Sequence, residues 1–308
     1  MKKKILIYNS GGGLGDSIRI FSLINGLQRY FSDAKIFYLG AHDNHFLGKL
    51  KEYNIHIESF NLGIEYFGFR WWHFFKVIEK LSNLKFDKFD YIIDLQSKIR
   101  NTIILKQIPT VNFYSSTFNF FFCTSKKLKS FLINGFEFKK YDIKNINNKF
   151  FTEALRLLPN NNYIGFSVTQ GNTYRKKSWP INNFISLAKE VVKKKKKPVF
   201  LINKNNIELI NLIKKEIPEA LFPELSTEMD CPALVTALAT RLEKAVSIDN
   251  GIMHMIALAN IPMIVLFGPT NSIKFSPDVD KIKVLDSKIL YSSPDISKIT
   301  INDVFKIL

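Results

Sequence analysis

Cysteine is scarce in this sequence: Cys123 and Cys231 are the two in a chain of 308 residues, with no C-x-x-C pair and no His-Cys cluster. That excludes a disulfide framework and a zinc ribbon and points to a reducing, cytoplasmic setting. Long apolar runs are missing as well. The run after Met1-Lys2-Lys3-Lys4 covers only residues 5–8 before a glycine cluster, too short for a signal peptide, and reads as a strand. Residues 113–123, the most apolar other stretch, are broken by Asn, Ser and Thr, whereas crossing a bilayer takes roughly 20 apolar residues. Low-complexity tracts are absent apart from Lys and Asn enrichment, and with 46% hydrophobic residues the chain has enough apolar material for two folded domains.

Negative charge is in short supply. Lys and Arg number 44 against 27 Asp and Glu, a formal net charge of +17. Divided at residue 155, the first part has 23 basic and 13 acidic side chains (+10) and the second 21 and 14 (+7), so the excess is no detachable tail. Such a field favours an acidic partner: nucleic acid, an anionic membrane surface or a phosphorylated substrate. No RNA- or DNA-binding module is recognisable, and nucleic acid ranks last among these.

Apolar runs of strand length alternate with helical patterns in both halves, the signature of parallel sheets covered by helices. In the first half residues 4–8, 35–39 and 91–95 read as strands and 16–30 as a helix. In the second, 163–168, 198–202, 245–248 and 263–267 read as strands, with helices at 181–192, 207–216, 232–240 and 251–259. An Asn-rich stretch, 145–162, lies between them. The expected architecture is α/β, with two Rossmann-like domains, 1–155 and 156–308, facing a central cleft into which the strand ends deliver their loops.

Four such loops carry chemistry. Asn9-Ser10-Gly11-Gly12-Gly13-Leu14-Gly15-Asp16 joins a strand to a helix; its glycines allow a tight turn with accessible N–H groups. An acid stands where a dinucleotide fingerprint needs a third small residue, which weakens a dehydrogenase reading. Asp16 is either the helix N-cap or a base held at the loop. The second loop comes after Asp94-Leu95-Gln96. Asp94 and Gln96 alternate with apolar neighbours, and Lys98 and Arg100 supply positive charge for an acidic acceptor, although a buried polar role suits Asp94 better.

The third loop runs from Ser167 through Thr169, Gln170 and Gly171 to Arg175-Lys176-Lys177-Ser178-Trp179-Pro180. Hydroxyls, a glycine and cations on one strand-to-helix connection fit a diphosphate, or else form a charged surface loop. Lys193 to Lys197 read as a solvated helix end. The fourth loop, Asp249-Asn250-Gly251-Ile252-Met253-His254, leads from strand to helix and is succeeded by strand 263–267 and Gly268-Pro269-Thr270. A helix starting at Gly251 offers free N–H groups to a pyrophosphate, and Asp249 has acceptor oxygens for sugar hydroxyls. His254, one turn in, either packs or donates to a phosphate.

These motifs, taken in order, resemble the heptosyltransferases of bacterial lipopolysaccharide synthesis, inverting glycosyltransferases of the two-Rossmann GT-B architecture. Gly13-Leu14-Gly15-Asp16 is similar to the family's N-terminal loop, Asp90 to Gln96 to its mid-domain strand, Lys177-Ser178-Trp179-Pro180 to its lysine-bearing loop, and Asp249 to His254 with Phe267-Gly268-Pro269-Thr270 to its C-terminal signature. The resemblance implies Asp16 as general base and Thr169 and Lys177 as diphosphate contacts. It implies Asp249 as holder of the donor sugar, with Asn250, Gly251 and His254 along the donor. The acceptor side would comprise Gly13, Gly15, Gln96, Lys98 and Arg100. The chain departs from the family pattern at Asn250 and Ile252, where Ser or Thr and then Gly-Pro usually come after the acid, and at Asn203-Lys204-Asn205-Asn206, where glycines are usual.

On this resemblance the expected donor is a nucleotide sugar, ADP-heptose, and the acceptor an anionic glycan or glycolipid met by peripheral contact with the inner membrane. Neither a cofactor nor a metal is required, since Lys177 and the helix start meet the leaving charge. A binding protein of the same fold that has lost turnover is the alternative. The expectation on which the enzyme reading turns is that Asp16 and Lys177 face one another over a shared gap.

Overall fold

The computed structural model describes residues 2–83, 88–96, 98–115, 136–171 and 173–308. The apolar stretch beginning at Phe113 therefore passes, after Ser115, outside the described residues, and Cys123 with it. The chain divides into two compact units, Met1–Tyr141 and Asp142–Leu308. The helical segment of the Asn-rich stretch, α5 (Asn148–Leu157), goes with the second unit because it packs on α8 (Pro232–Ala239).

In the first unit β1 (Lys4–Asn9), β2 (Lys35–Gly40), β3 (Glu58–Ser59), β4 (Phe89–Asp94) and β5 (Thr110–Ser115) form one parallel sheet in the order β3-β2-β1-β4-β5. β1 is buried on both faces, which is why it reads as the unbroken run Ile5-Leu6-Ile7-Tyr8. The helix expected over 16–30 is two helices, α1 (Leu14–Ile18) and α2 (Phe21–Tyr30). Ile18, Ile20 and Phe21 are all buried. Residues 18 and 20 fall on opposite sides of a straight helix, so a break at Arg19–Ile20 is what lets both reach the core. Two further helices, α3 (His73–Asn83) and α4 (Ile99–Leu105), pack on one another.

In the second unit β6 (Tyr163–Ser167), β7 (Lys197–Phe200), β8 (Lys244–Ile248), β9 (Met263–Phe267) and β10 (Ile282–Asp286) form a parallel sheet in the order β10-β9-β8-β6-β7. Its helices are α6 (Ile181–Lys193), α7 (Ile207–Glu216), α9 (Gly251–Leu258), α10 (Ser272–Phe275), α11 (Ser287–Tyr291) and α12 (Ile301–Phe305), besides α5 and α8. Phe166, Phe184 and Phe200 pack with Trp179 and Val246 in its core.

Each sheet has one place where the winding changes direction. In the first unit it lies between β1 and β4, in the second between β6 and β8. In open α/β sheets the crevice at the carboxyl end of that place is where ligands bind, because the two flanking connections leave in opposite directions. All four loops singled out in the sequence leave from these four strands.

Among the described residues no helix is long and apolar enough to cross a membrane.

Candidate functional site

In the first unit, parallel register sets Tyr8 opposite Asp94 and brings the tips of β1 and β4 together. Asn9, at the end of β1, organises both loops that leave these tips. Its Nδ2 donates to the Asp16 carbonyl at 3.1 Å, and its Oδ1 accepts from the Gly11 N–H at 3.1 Å and from Gln96 Nε2 at 3.1 Å. The glycine loop is thereby folded back on itself and tied to the second loop. A Cβ at Gly11 would meet the Asp16 side chain at 2.5 Å, and one at Gly12 would overlap the His42 ring, so these glycines are required by close approach. His45 Nε2 lies 3.0 Å from the Gly12 carbonyl and fastens the loop from its other side.

Asp16 is in the first turn of α1, with its N–H bonded to the Gly13 carbonyl. Its side chain makes no cap; the N-cap position is Gly13, which has no side chain to cap with. The carboxylate is partly exposed, with an Arg19 guanidinium nitrogen 3.8 Å away. Gly13 is exposed, and Gly15 is buried within α1. Asp94, by contrast, is wholly inside. It accepts from the Gln96 N–H (2.9 Å), Thr102 Oγ1 (2.5 Å) and Ser115 Oγ (2.8 Å), and burial pushes its carboxyl above the ordinary range against the pull of those bonds. It is the strut that fixes the second loop. Lys98 is exposed at the start of α4, and Arg100 is turned to the Gly68 carbonyl, Nε to O 3.1 Å.

In the second unit the β6 and β8 loops are joined at two points. The Lys177 ammonium donates to Asp249 Oδ2 at 2.7 Å and to the Asp249 carbonyl at 3.3 Å, and both side chains are largely screened from solvent, at 14% and 7% exposure. Asn250 Nδ2 donates to Ser167 Oγ at 2.7 Å and to the Thr169 carbonyl at 2.8 Å, while its Oδ1 accepts the Met253 N–H at 2.8 Å as the N-cap of α9. A single carboxamide thus caps the helix and holds the neighbouring loop.

Gly251 begins α9 two residues after Asp249, and His254 is buried one turn further in. Lys177 itself is positioned from both sides. Its N–H donates to Gln170 Oε1 at 2.7 Å, and two residues on Trp179 is buried with its indole N–H on the Ile299 carbonyl at 2.8 Å. Thr169, Lys177, Asp249, Asn250, Gly251 and His254 are therefore assembled within one unit. Lys196 bonds Glu243 and Lys193 bonds Glu190 on the surface, as suits a solvated helix end.

Several residues of these sites have no local sequence signal. Asn9, Gln170 and Ser167 act through bonds spanning up to 87 positions. At the loop after β7, Asn203 Nδ2 lies 3.4 Å from both Asp230 carboxylate oxygens, and nearby Glu224 has a buried Oε1 without a partner. Burial, with the Asp230 charge adding, pushes the Glu224 carboxyl up to about 7. A D-x-D spacing does occur in the chain, Asp278-Val279-Asp280, with both acids exposed between α10 and β10. Among the described residues no group of three His, Cys, Asp or Glu is placed to hold a metal ion.

Comparison with known proteins gives the same picture. A family model described as glycosyltransferase family 9 (heptosyltransferase) matches residues 127–305, more than half of the chain. No curated protein sequence matches. Among solved structures, a glycosyl transferase family 9 protein from Veillonella parvula DSM 2008 is similar, with TM-score 0.67, 17% identity, and coverage of 99% of this chain and 96% of that one. E. coli ADP-heptose lps heptosyltransferase II is similar at TM-score 0.63, 16% identity and 99% and 96% coverage. E. coli heptosyltransferase WaaC with ADP-2-deoxy-2-fluoro heptose is similar at TM-score 0.63, 14% identity and 99% and 98% coverage. At these identities the likeness is one of fold: an α/β architecture with two parallel five-stranded sheets.

Proposed function

We propose that this chain, which belongs to glycosyltransferase family 9 (heptosyltransferase), moves a heptose from ADP-heptose to a lipopolysaccharide-type or other anionic cell-surface glycan, inverting the anomeric centre. The observation that carries the reading is the Lys177–Asp249 contact of 2.7 Å at the direction change of the second sheet, beside the start of α9. A diphosphate sugar needs a cation and free N–H groups for its phosphates and acceptor oxygens for its hydroxyls. Lys177 and Gly251 supply the first, Asp249 the second, and Thr169 and His254 line the same mouth.

In this mechanism Asp16 takes the proton from an acceptor hydroxyl as that oxygen bonds to the anomeric carbon. The bond from that carbon to the diphosphate oxygen breaks on the opposite face, and the nucleoside diphosphate departs with the electron pair. Its growing charge is met by the Lys177 ammonium and the positive end of α9. Donors fixed in advance at such a place lower the barrier because they need no reorganisation during reaction. Gly13, Gly15, Gln96, Lys98 and Arg100 serve the acceptor, and their cations suit a phosphorylated glycolipid presented at a membrane surface. Asp16 and Lys177 then work in one reaction.

Thermal melts of the intact chain with a panel of ADP-, GDP- and UDP-sugars test the donor: at 100 Kd a true donor stabilises by about 2.7 kcal/mol. ADP-heptose is expected to give the largest shift, and mass spectrometry of a core-glycan acceptor is expected to show the added heptose. A panel in which no nucleotide sugar raises the melting temperature sinks the proposal.

A further inference from the structure

α3 and the turn that leads into it carry apolar residues beyond their buried side. His73 and Val77 are buried, with Phe74 and Leu81 packed on the core of the first unit. A helix on a protein surface ordinarily turns charged and polar residues outward on its other side. Here Trp71, Trp72, Phe75 and Ile78 stand there beside Lys76, Glu79 and Lys80, and are 58%, 56%, 72% and 45% exposed. Trp71, Phe75 and Ile78 have the i, i+4, i+7 spacing of a single face, and the turn is helical enough that the Phe74 N–H bonds the Trp71 carbonyl. Four large side chains in so short a segment form a contiguous patch of the kind that marks an interaction surface.

The charge around the patch identifies its partner. Arg70, Lys76, Lys80 and Glu79 are exposed in the same segment, three cations to one acid. The Arg70 guanidinium lies over the Trp72 ring at 5.6 Å. His73, beneath the patch, is held below its ordinary pKa by burial and then by the charges of Lys76, Arg100 and Arg70, with no acid acting on it. Tryptophan with a cationic border is the composition of a surface that rests in the headgroup layer of an anionic bilayer, its rings among the acyl-chain ends and its cations on the phosphates. We infer that the Trp71–Ile78 face docks the protein on an anionic phospholipid surface.

The surface also connects to the first functional loop. His42 packs edge-on against Tyr66 and Phe69 at 5.4 Å each, and the same His42 ring fills the space where Gly12 would carry a Cβ. Arg100 and His73 both bond to Gly68, through its carbonyl and its N–H. A bilayer under α3 therefore lies against the segment that supports the glycine loop, the place from which a lipid-borne acceptor would be reached. The docking face stands on its own geometry, whatever sugar is moved.

The chain has three tryptophans, and the third, Trp179, is buried in the second unit, so a change of emission on vesicle addition reports Trp71 and Trp72. The intact protein is mixed with vesicles of phosphatidylcholine alone or with phosphatidylglycerol, and with the same mixtures carrying brominated acyl chains. Sedimentation with the anionic vesicles, a blue shift and quenching by bromine are expected. A Trp71→Ser/Phe75→Ser variant, melting as the parent does, is expected to lose on the order of tenfold or more in vesicle affinity. A Lys76→Glu/Lys80→Glu variant is expected to lose the preference for anionic lipid.

Three results overturn the inference: undiminished vesicle binding by the Trp71→Ser/Phe75→Ser variant, binding without blue shift or quenching, or self-association of the parent without lipid that this variant abolishes. The last would mean that a second copy covers the face. Vesicle binding is read without any sugar transfer, so its failure is distinguishable from failure of the proposed reaction.

Discussion

The two units use the same kind of sheet to make opposite kinds of mouth. In the first, the loops at the direction change are tied together by neutral hydrogen bonds through Asn9, and the carboxylate of Asp16 is left partly open to solvent with a guanidinium 3.8 Å away. In the second, the corresponding loops are tied by a screened ion pair and a carboxamide, Lys177–Asp249 and Asn250, and little of either charged group is exposed. An accessible carboxylate suits taking a proton from an incoming hydroxyl, whereas a cation held in place suits meeting charge that develops on a leaving group. On the proposed reaction, the same topology would divide acid–base work from charge stabilisation by how its loops are fastened.

The largest effect expected from breaking this division is that of Asp16→Ala. Turnover should fall by roughly 10²–10⁴, while the donor-induced melting shift stays, since the residues proposed to hold the donor all lie in the other unit. Rate and shift are measured on the same preparation, and transfer at the parental rate would remove Asp16 as the base.

Lys177→Ala is expected to lower kcat/KM by about 10²–10³, and to shrink the donor-induced shift too. If the shift survives intact, the pair with Asp249 is structural only, and the contrast between the units collapses. Asn250→Ala tests the fastening itself. Loss of the cap and of two bonds from a buried amide should cost about 2–3 kcal/mol of unfolding free energy in denaturant titration. Asn250→Ser, which restores a cap oxygen, should recover about 1 kcal/mol of it.

The smallest effect concerns the turn Pro223–Ser226 that comes after α7. In the unfolded chain Glu224 ionises near 4.5, but in the fold its carboxyl is pushed up to about 7. Between those values the unfolded state binds fewer protons, so the folded protein loses stability as pH rises, with the full penalty present above 7 and none below about 4.5. Glu224→Gln should accordingly be more stable than the parent by about 1–3 kcal/mol at pH 8 and equal to it near pH 4.5, read from thermal melts at the two pH values. An equal gain at both would assign the effect to packing.

Much of the frame is legible in the sequence because buried parallel strands are largely apolar runs that give way to polar or glycine-bearing loops. β1, β6, β8 and β9 and the helix at Gly251 can be read that way. The pieces that cannot be read lack that contrast. β3 is two exposed residues, β5 mixes Thr and Asn with aromatics, and β10 is an edge strand with exposed positions. α3 keeps its apolar residues Phe74, Phe75, Val77, Ile78 and Leu81 on one side, but no Ser, Thr, Asp or Asn cap precedes it to mark where it starts. The break in the first helix hides too, since it depends on where the core lies and no Pro or Gly marks it.

In the sites, charged residues in the strand-to-helix loops announce themselves, as Asp16, Lys177 and Asp249 do. Their supports do not, because Asn9 meets Gln96 across 87 positions and Gln170 is one amide among many. For Asp94 the sequence allows both an exposed and a buried role. Only the hydroxyls of Thr102 and Ser115, brought in by α4 and β5, decide it for burial.

The carboxamide at position 250 also limits how this protein can diverge. It reads a carbonyl and a hydroxyl at the tip of β6 while giving its own oxygen to the helix behind it, so a replacement has to offer a donor and an acceptor at one length. Aspartate lacks the donor and glutamine overshoots. Any residue at 169 supplies the carbonyl, so the constraint falls on the side chains: residue 250 and the Ser167 hydroxyl change together or not at all.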